Sequence, residues 1–333
     1  MKKLKLTCAH AIVKHLIAQK ILIDGKKQPL FPGVFGIFGH GNVACLGQAL
    51  EENKDKLPTY RGHHEQNMAL TGVAYSRAKR RKQIFIATSS VGPGSTNLLT
   101  AAAVAMSNRI PILFLPGDTY ANRMPDPVLQ QVEHFNNPGI TANDAFKSVT
   151  RYFDRITRPE QILQSLPQAI QLMIDPADAG PACLSLCQDT QGETFDYPEE
   201  FFKERVHNIR RPKPDDFEIK KAAEKIKSCK NPIIISGGGV FYSDAMEELG
   251  NFAIKHNIPV TQTVMGYSTM KRDHSHFLGP IGGLGGKAAN NFAKKTDLAI
   301  AVGTKLADFT TGSWANFENP NFGLVSLNIT RHD

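Results

Sequence analysis

Cysteine is scarce and odd in number: Cys8, Cys45, Cys183, Cys187 and Cys229 are the only five in 333 residues. An odd count in a chain of this length excludes a disulfide scaffold, and a reducing cytoplasm is the expected setting. Long apolar runs are missing too. The longest, Ile110 to Pro116 and Asn231 to Ile235, are far too short to cross a bilayer, and Met1-Lys2-Lys3-Leu4-Lys5-Leu6 has no apolar secretion core. Membrane association is therefore not expected. No zinc-ligand spacing, serine-nucleophile elbow or Walker sequence occurs. Concentrated positive charge is confined to Lys79-Arg80-Arg81-Lys82, at the end of a helical pattern where cations complement the helix dipole. The formal charge of +8 favours anionic partners in general, but the basic residues are scattered, so no DNA or RNA binding is expected.

What remains is a globular composition: 41% hydrophobic and 21% charged residues, in a chain longer than one hydrophobic core usually organises. Short apolar runs alternate with longer helical patterns, which predicts two doubly wound, mainly parallel-sheet α/β domains. In the first, helices are expected over 8–19, 43–52, 65–79, 95–107 and 159–174, with strands over 34–38, 83–88, 111–115 and 182–186. Charge and proline then replace periodicity, predicting a linker over 191–214 between domains at 1–190 and 215–333. The second domain restarts with a helix over 216–227, then strand 232–236, helix 243–256 and strands 259–263, 298–302 and 323–329. A chain stopping just after a strand is expected to belong to a fold unit that continues past Asp333.

Three stretches could carry chemistry. Phe38-Gly39-His40-Gly41-Asn42 lies at a strand-to-helix junction, where glycines admit a ligand to the backbone and a helix N-terminus offers free N–H groups; a plain tight turn is the commoner meaning of such spacing. His63-His64-Glu65-Gln66 opens a helix rich in small and apolar residues. Its carboxylate serves the dipole in the simplest account, while a heterocyclic ligand nitrogen is another available partner. Gly92-Pro93-Gly94-Ser95-Thr96-Asn97 follows a strand end, where open α/β sheets bind ligands, although it lacks a phosphate-binding lysine and could simply be a stiff turn. Gly237-Gly238-Gly239 and Gly282-Gly283-Leu284-Gly285-Gly286 lack the full dinucleotide spacing, which favours ordinary strand-helix turns. Asp118, Asp126, Gln130, Gln131 and Glu133 sit on a polar segment whose default explanation is solvation.

Taken together, Gly39-His40-Gly41-Asn42, His64-Glu65-Gln66 and Gly92-Pro93-Gly94 through Asn97 resemble the pyrimidine-binding domain of thiamine-diphosphate enzymes, nearest the acetolactate-synthase-like group. Leu115-Pro116-Gly117-Asp118, Pro125-Asp126-Pro127 through Glu133, Arg151-Tyr152-Phe153-Asp154-Arg155 and Asp308-Phe309-Thr310-Thr311-Gly312-Ser313-Trp314 resemble a branch of ring-opening hydrolases acting in myo-inositol degradation. The resemblance implies a pyrimidine-binding domain over 1–190 and a Rossmann-like central domain over 215–333. It makes Glu65 the glutamate on the aminopyrimidine ring, favouring the tautomer that takes the thiazolium proton. Gly92, Pro93, Gly94 and Asn97 then also contact thiamine diphosphate, and His40 and Gln130 face the reacting centre. The implied reaction is hydrolytic carbon–carbon cleavage of a cyclic dione to 5-deoxyglucuronate.

The family's third domain, whose Gly-Asp-Gly segment and following Asn hold Mg²⁺ and the diphosphate, has no match here, and no metal ligand is assigned in this chain. The resemblance therefore implies a truncated or split form, inactive alone, partnered in a homodimer or higher oligomer or by a C-terminal-half chain. An acetolactate-synthase-like carboligase half and a non-catalytic dimerisation module are the competing expectations.

Overall fold

The computed structural model describes residues 2–330 and 332 and divides into two compact units, Met1–Arg210 and Arg211–Asp333. The first is built on a seven-stranded sheet. Its neighbours run Thr59–Arg61, Val34–Gly36, Ile86–Thr88, Leu113–Phe114, Ala182–Cys187, Gly117–Asp118, with Tyr152–Ile156 on the other side of Ala182–Cys187. All of these pairings are parallel. Strands buried on both faces need apolar residues at every position, which is why they stand out as continuous runs. Ile86, Leu113 and Leu184 face a core shared with Ile12 and Leu16 of helix Cys8–Ala18 and Ile170 and Met173 of helix Ile162–Ile174. Their neighbours Ala87, Phe114 and Cys183 turn to the other face, against Met68 and Val73 of helix Glu65–Ala78 and Ala101 and Ala105 of helix Leu99–Asn108.

Two expected helices are broken where they approach the sheet's carboxyl edge. The helix expected over 43–52 begins as a π-helical turn, Val43–Gly47, closed by Gly47 N–H donating to the Asn42 carbonyl at 2.8 Å. The helix expected over 95–107 splits into Pro93–Thr96 and Leu99–Asn108. Such irregular turns recur beside functional sites.

The stretch expected as a linker over 191–214 is mostly regular. Thr194–Pro198 pairs antiparallel with Lys3–Thr7, and Arg205–His207 pairs parallel with Gln19–Ile23. The longest run without a regular element is 208–215, beyond short breaks at 193 and 203–204. The charge that suggested a linker belongs to outward positions: Thr194 and Asp196 are exposed, while Phe195 between them is half-buried and Tyr197, next in the strand, is fully buried and donates to the Pro159 carbonyl at 2.9 Å. An edge strand with one solvated face has a linker's composition.

Two buried imidazoles fasten this stretch. His15 Nδ1 donates to the Phe201 carbonyl at 2.7 Å and its ring stacks on Phe201 at 4.0 Å. Gln19 gives its amide N–H to the His15 carbonyl, so its oxygen must accept from His207 Nε2 at 2.9 Å. Burial pushes both histidines down to about 4, the effect on His207 reinforced by nearby Arg205. The unfolded chain, with histidines near pH 6.5, therefore binds more protons between pH 6.5 and 4. Their contribution to stability is complete above pH 6.5 and is lost as pH falls towards 4. Urea midpoints across that window should show up to two extra protons on unfolding, a slope approaching about 2.7 kcal/mol per pH unit. A His15→Asn, His207→Gln double variant should lose most of that slope; retention of it would show that other groups titrate.

The second unit is an all-parallel five-stranded sheet ordered Phe277–Pro280, Val260–Gln262, Pro232–Ser236, Leu298–Val302, Gly323–Leu327. Ile234, Val260, Leu298 and Ile300 pack with Leu249 and Ala253 of helix Met246–His256. Ile233, Ile235 and Ala299 pack on the opposite face with Ala289 and Ala293 of helix Lys287–Lys295. This order, with crossover helices on both faces, is Rossmann-like. Among the described residues no helix is long and apolar enough to cross a membrane.

Candidate functional site

In the first unit, the chain runs from Val34–Gly36 to a neighbour on one side and then to Ile86–Thr88 on the other. That reversal makes a crevice beyond the carboxyl ends of these two strands, the place where open α/β sheets bind ligands. The turns 37–42 and 89–97 line it.

The two turns touch through Ser90. A β-carbon on Gly39 would lie 2.6 Å from Ser90 Oγ, and one on Gly94 would lie 3.6 Å from Ser90 Cβ. Asn42, fully buried, ties the first turn down: its amide donates to the Ile37 carbonyl at 3.2 Å and Thr88 Oγ1 at 3.1 Å, and its oxygen accepts from Gly39 N–H at 3.0 Å. Nothing in the sequence pattern marked Asn42 beyond its place after Gly41.

Glu65 is the first residue of helix Glu65–Ala78 and is half-buried. Its position puts it at the positive end of the helix dipole. Oε2 accepts from Asn97 Nδ2 at 2.8 Å. Oε1 lies towards Gly94, where a β-carbon would stand 3.5 Å away. The missing side chain at Gly94 thus leaves a flat face beside a carboxylate oxygen, while buried Met68 and Ala69 make the following turn of the helix apolar. A carboxylate clamped on one oxygen and presented on the other beside an unobstructed backbone suits a planar heterocycle bearing a ring nitrogen. These features fit an aminopyrimidine.

His40 is half-buried in the first turn, and its Nε2 is buried without a hydrogen-bond partner. Gln130 is exposed and reaches the second turn through its backbone. A β-carbon on Gly92 would lie 2.0 Å from the Gln130 carbonyl oxygen. Pro93 is exposed and begins the short helical turn after Gly92.

Asp118, expected to be a solvated loop residue, is instead 1% exposed. It is held by Arg155 Nε at 2.9 Å, Thr141 Oγ1 at 3.1 Å and Ser185 Oγ at 2.5 Å. Arg155 also donates to Asp144 Oδ2 at 2.8 Å. Burial opposes the charge on Asp144, but hydrogen bonds from Lys147, the Thr141 amide and Arg155 outweigh it and hold the carboxyl down to about 2. The cysteines offer no rival nucleophile: burial raises all five thiols above their ordinary range. Among the described residues no cluster of three or more His, Cys, Asp or Glu side chains could hold a metal ion.

The glycine runs of the second unit serve chain packing. A β-carbon on Gly237 would fall 2.3 Å from the Gly303 carbonyl oxygen, one on Gly239 2.6 Å from Gly303 Cα, and one on Gly282 2.1 Å from the Phe309 carbonyl oxygen. The space these glycines leave is already filled by the protein's own backbone.

Comparison with known proteins follows the same division. Residues 20–137 match the thiamine pyrophosphate enzyme N-terminal TPP binding domain, and residues 219–333 match the thiamine pyrophosphate enzyme central domain. The chain is 48% identical over 330 residues to the 3D-(3,5/4)-trihydroxycyclohexane-1,2-dione hydrolase of Clostridium tetani, an alignment covering 99% of this chain and 51% of that protein. The proteins of the same name from Listeria monocytogenes EGD-e and Clostridium perfringens are also 48% identical, covering 99% and 98% of this chain and 52% and 51% of their own lengths. The chain spans about half the length of the curated relatives it matches.

Proposed function

The chain belongs to the thiamine pyrophosphate enzyme family, and we propose that its first unit forms the pyrimidine-side wall of a thiamine-diphosphate site that opens 3D-trihydroxycyclohexane-1,2-dione to 5-deoxyglucuronate by hydrolytic carbon–carbon cleavage in myo-inositol degradation. The observation that carries this reading is the Glu65 carboxylate at the switch point, clamped by Asn97 on Oε2 and open beside Gly94 on Oε1. When bound, thiamine diphosphate supplies an acidic thiazolium carbon and an electron sink for breaking a bond next to a carbonyl.

The residues of this chain then have distinct tasks. Glu65 shares a proton with the ring nitrogen at Oε1, and Asn97 keeps the other oxygen from turning away. Gly94 admits the ring, while Gly92 lets the turn close against the Gln130 carbonyl and Pro93 stiffens the turn between them. Met68 and Ala69 exclude water, which strengthens the single polar contact. To His40, whose Nε2 has no hydrogen-bond partner, this reading gives proton transfer at the substrate, and to Gln130, whose carbonyl abuts Gly92, a place at the reacting centre. One ring and one water give one open-chain acid, so no further reactant is required.

In this reading Mg²⁺ and the diphosphate would be held by a partner chain. The partner supplying them, a second subunit or a C-terminal-half chain, would meet the 124–135 segment, which reaches the second turn through the Gln130 carbonyl and leaves Met124, Leu129 and Phe135 91%, 70% and 90% exposed. The test is reconstitution. The chain, a separately expressed C-terminal half, thiamine diphosphate and Mg²⁺ should together consume the dione and release the acid. Turnover indifferent to added thiamine diphosphate in a cofactor-free preparation would end the proposal. In that mixture Asn97→Ala should raise the dissociation constant for thiamine diphosphate about tenfold, the loss of one charge-assisted hydrogen bond. Titration against cofactor checks it, and an unchanged constant would remove Asn97 from the site.

A further inference from the structure

Asn143, fully buried near the start of the 3₁₀ turn Ala142–Ser148, was marked by no motif. Its amide nitrogen donates to the Gly117 carbonyl at 2.9 Å and Ser185 Oγ at 2.8 Å. Its oxygen accepts from Ser95 Oγ, and Ser95 stands inside the Gly92–Asn97 turn. Gly117 in turn backs onto the other turn, since a β-carbon there would lie 2.6 Å from the Gly41 carbonyl oxygen. One side chain therefore touches the supports of both turns.

The orientation of these bonds is dictated by charge. Asp118, paired with Arg155, can only accept, so Ser185 must give it its single hydroxyl proton. The Ser185 oxygen is then free only to accept, which requires the N–H side of the Asn143 amide. That fixes the Asn143 oxygen towards Ser95, which must donate. A buried carboxylate some distance from the crevice thus sets the hydrogen-bond polarity of the Gly92–Asn97 turn.

We propose that Asn143 is a positioning residue: with Asp118, Arg155 and Ser185 it forms a directed hydrogen-bond relay that fixes the Gly92–Asn97 turn through Ser95 and braces the Gly39–Asn42 turn through Gly117, and so sets where Asn97 meets Glu65. The claim about the turns stands on geometry alone; its consequence for the cofactor rests on the function proposed above.

Two breaks and one repair test it. Ser95→Ala removes the last link, Ser185→Ala the central one, and Ser185→Thr restores the hydroxyl. Tyr197→Phe, which deletes a buried hydroxyl bonded to the Pro159 carbonyl, controls for lost stability. In the full chain, amide exchange at Thr96 and Asn97 should accelerate about tenfold or more in both alanine variants, recover in Ser185→Thr and stay within about twofold in Tyr197→Phe. With the complementing half present, the dissociation constant for thiamine diphosphate should rise about tenfold in the same two variants. Exchange no faster than in Tyr197→Phe overturns the relay, as does Ser185→Thr exchanging as fast as Ser185→Ala. Faster exchange with unchanged affinity overturns the link to the site. A parent protein that binds no thiamine diphosphate overturns the functional reading, while the exchange rates still decide the relay.

Discussion

Replacing Glu65 with glutamine is expected to lower turnover of the reconstituted enzyme by about 10²–10⁴-fold while leaving the fold unchanged. The side chain keeps its length, and Asn97 can still donate to the amide oxygen in place of Oε2. What is lost is the ability of Oε1 to hold and release a proton beside Gly94. A glutamine oriented by Asn97 presents its NH₂ group towards Gly94, a donor where the ring nitrogen needs a partner that shares its proton. The change removes an interaction required by the reaction rather than by the resting complex, so kcat should fall much more than cofactor affinity. The expected affinity change is within about tenfold, from one altered hydrogen bond. Steady-state kinetics of dione loss, with cofactor titration and thermal unfolding on the same samples, checks all three. Normal turnover after Glu65→Gln would exclude a proton-transfer role for this carboxylate.

The residues behind that prediction were legible for a physical reason. Gly39, Gly41, Gly92, Pro93 and Gly94 punctuate the chain where strands end, and a strand buried on both faces shows itself as a largely apolar run, as at Leu113–Phe114 and at Ala182–Cys187, where Ser185 is the single polar residue. An acidic residue at the head of the helix Glu65–Ala78 completes a pattern that needs no long-range information. Elements that depend on distant partners were less visible. Thr194–Pro198 exists because Lys3–Thr7 is there to pair with it, and its solvated face carries the composition of a linker. The helix Lys287–Lys295 buries only alanines, Ala289 and Ala293, so its apolar stripe is too slight to stand out. Asp118 and Asn143 are polar side chains whose burial is made tolerable by Arg155, Ser185 and Ser95. Only the folded chain brings those partners together, and a local reading assigns such residues to solvent. The Gln130 contact is a backbone carbonyl, which no side-chain pattern can encode.

That carbonyl makes Gly92 the least replaceable residue of the turn, and Gly92→Ala should destabilise the first unit by at least about 3 kcal/mol. Two independent effects add. Gly92 sits at φ 68°, ψ −120°, a conformation closed to residues with a β-carbon, so alanine strains the backbone. The new methyl would also be placed 2.0 Å from the Gln130 carbonyl oxygen, and that neighbour is main chain, with no rotamer by which to retreat. Gly94 makes the contrasting case. A β-carbon there meets nothing closer than 3.5 Å, so Gly94→Ala should preserve stability while placing a methyl on the face beside Glu65 Oε1. The two substitutions, two residues apart, should therefore separate: Gly92→Ala lowers the urea midpoint and displaces the 130 segment, whereas Gly94→Ala keeps the midpoint and weakens thiamine diphosphate binding by about tenfold or more. Equal midpoints for the two variants would mean that the turn relaxes away from Gln130 at little cost. Undiminished cofactor binding by Gly94→Ala would mean that the ring does not rest on that face.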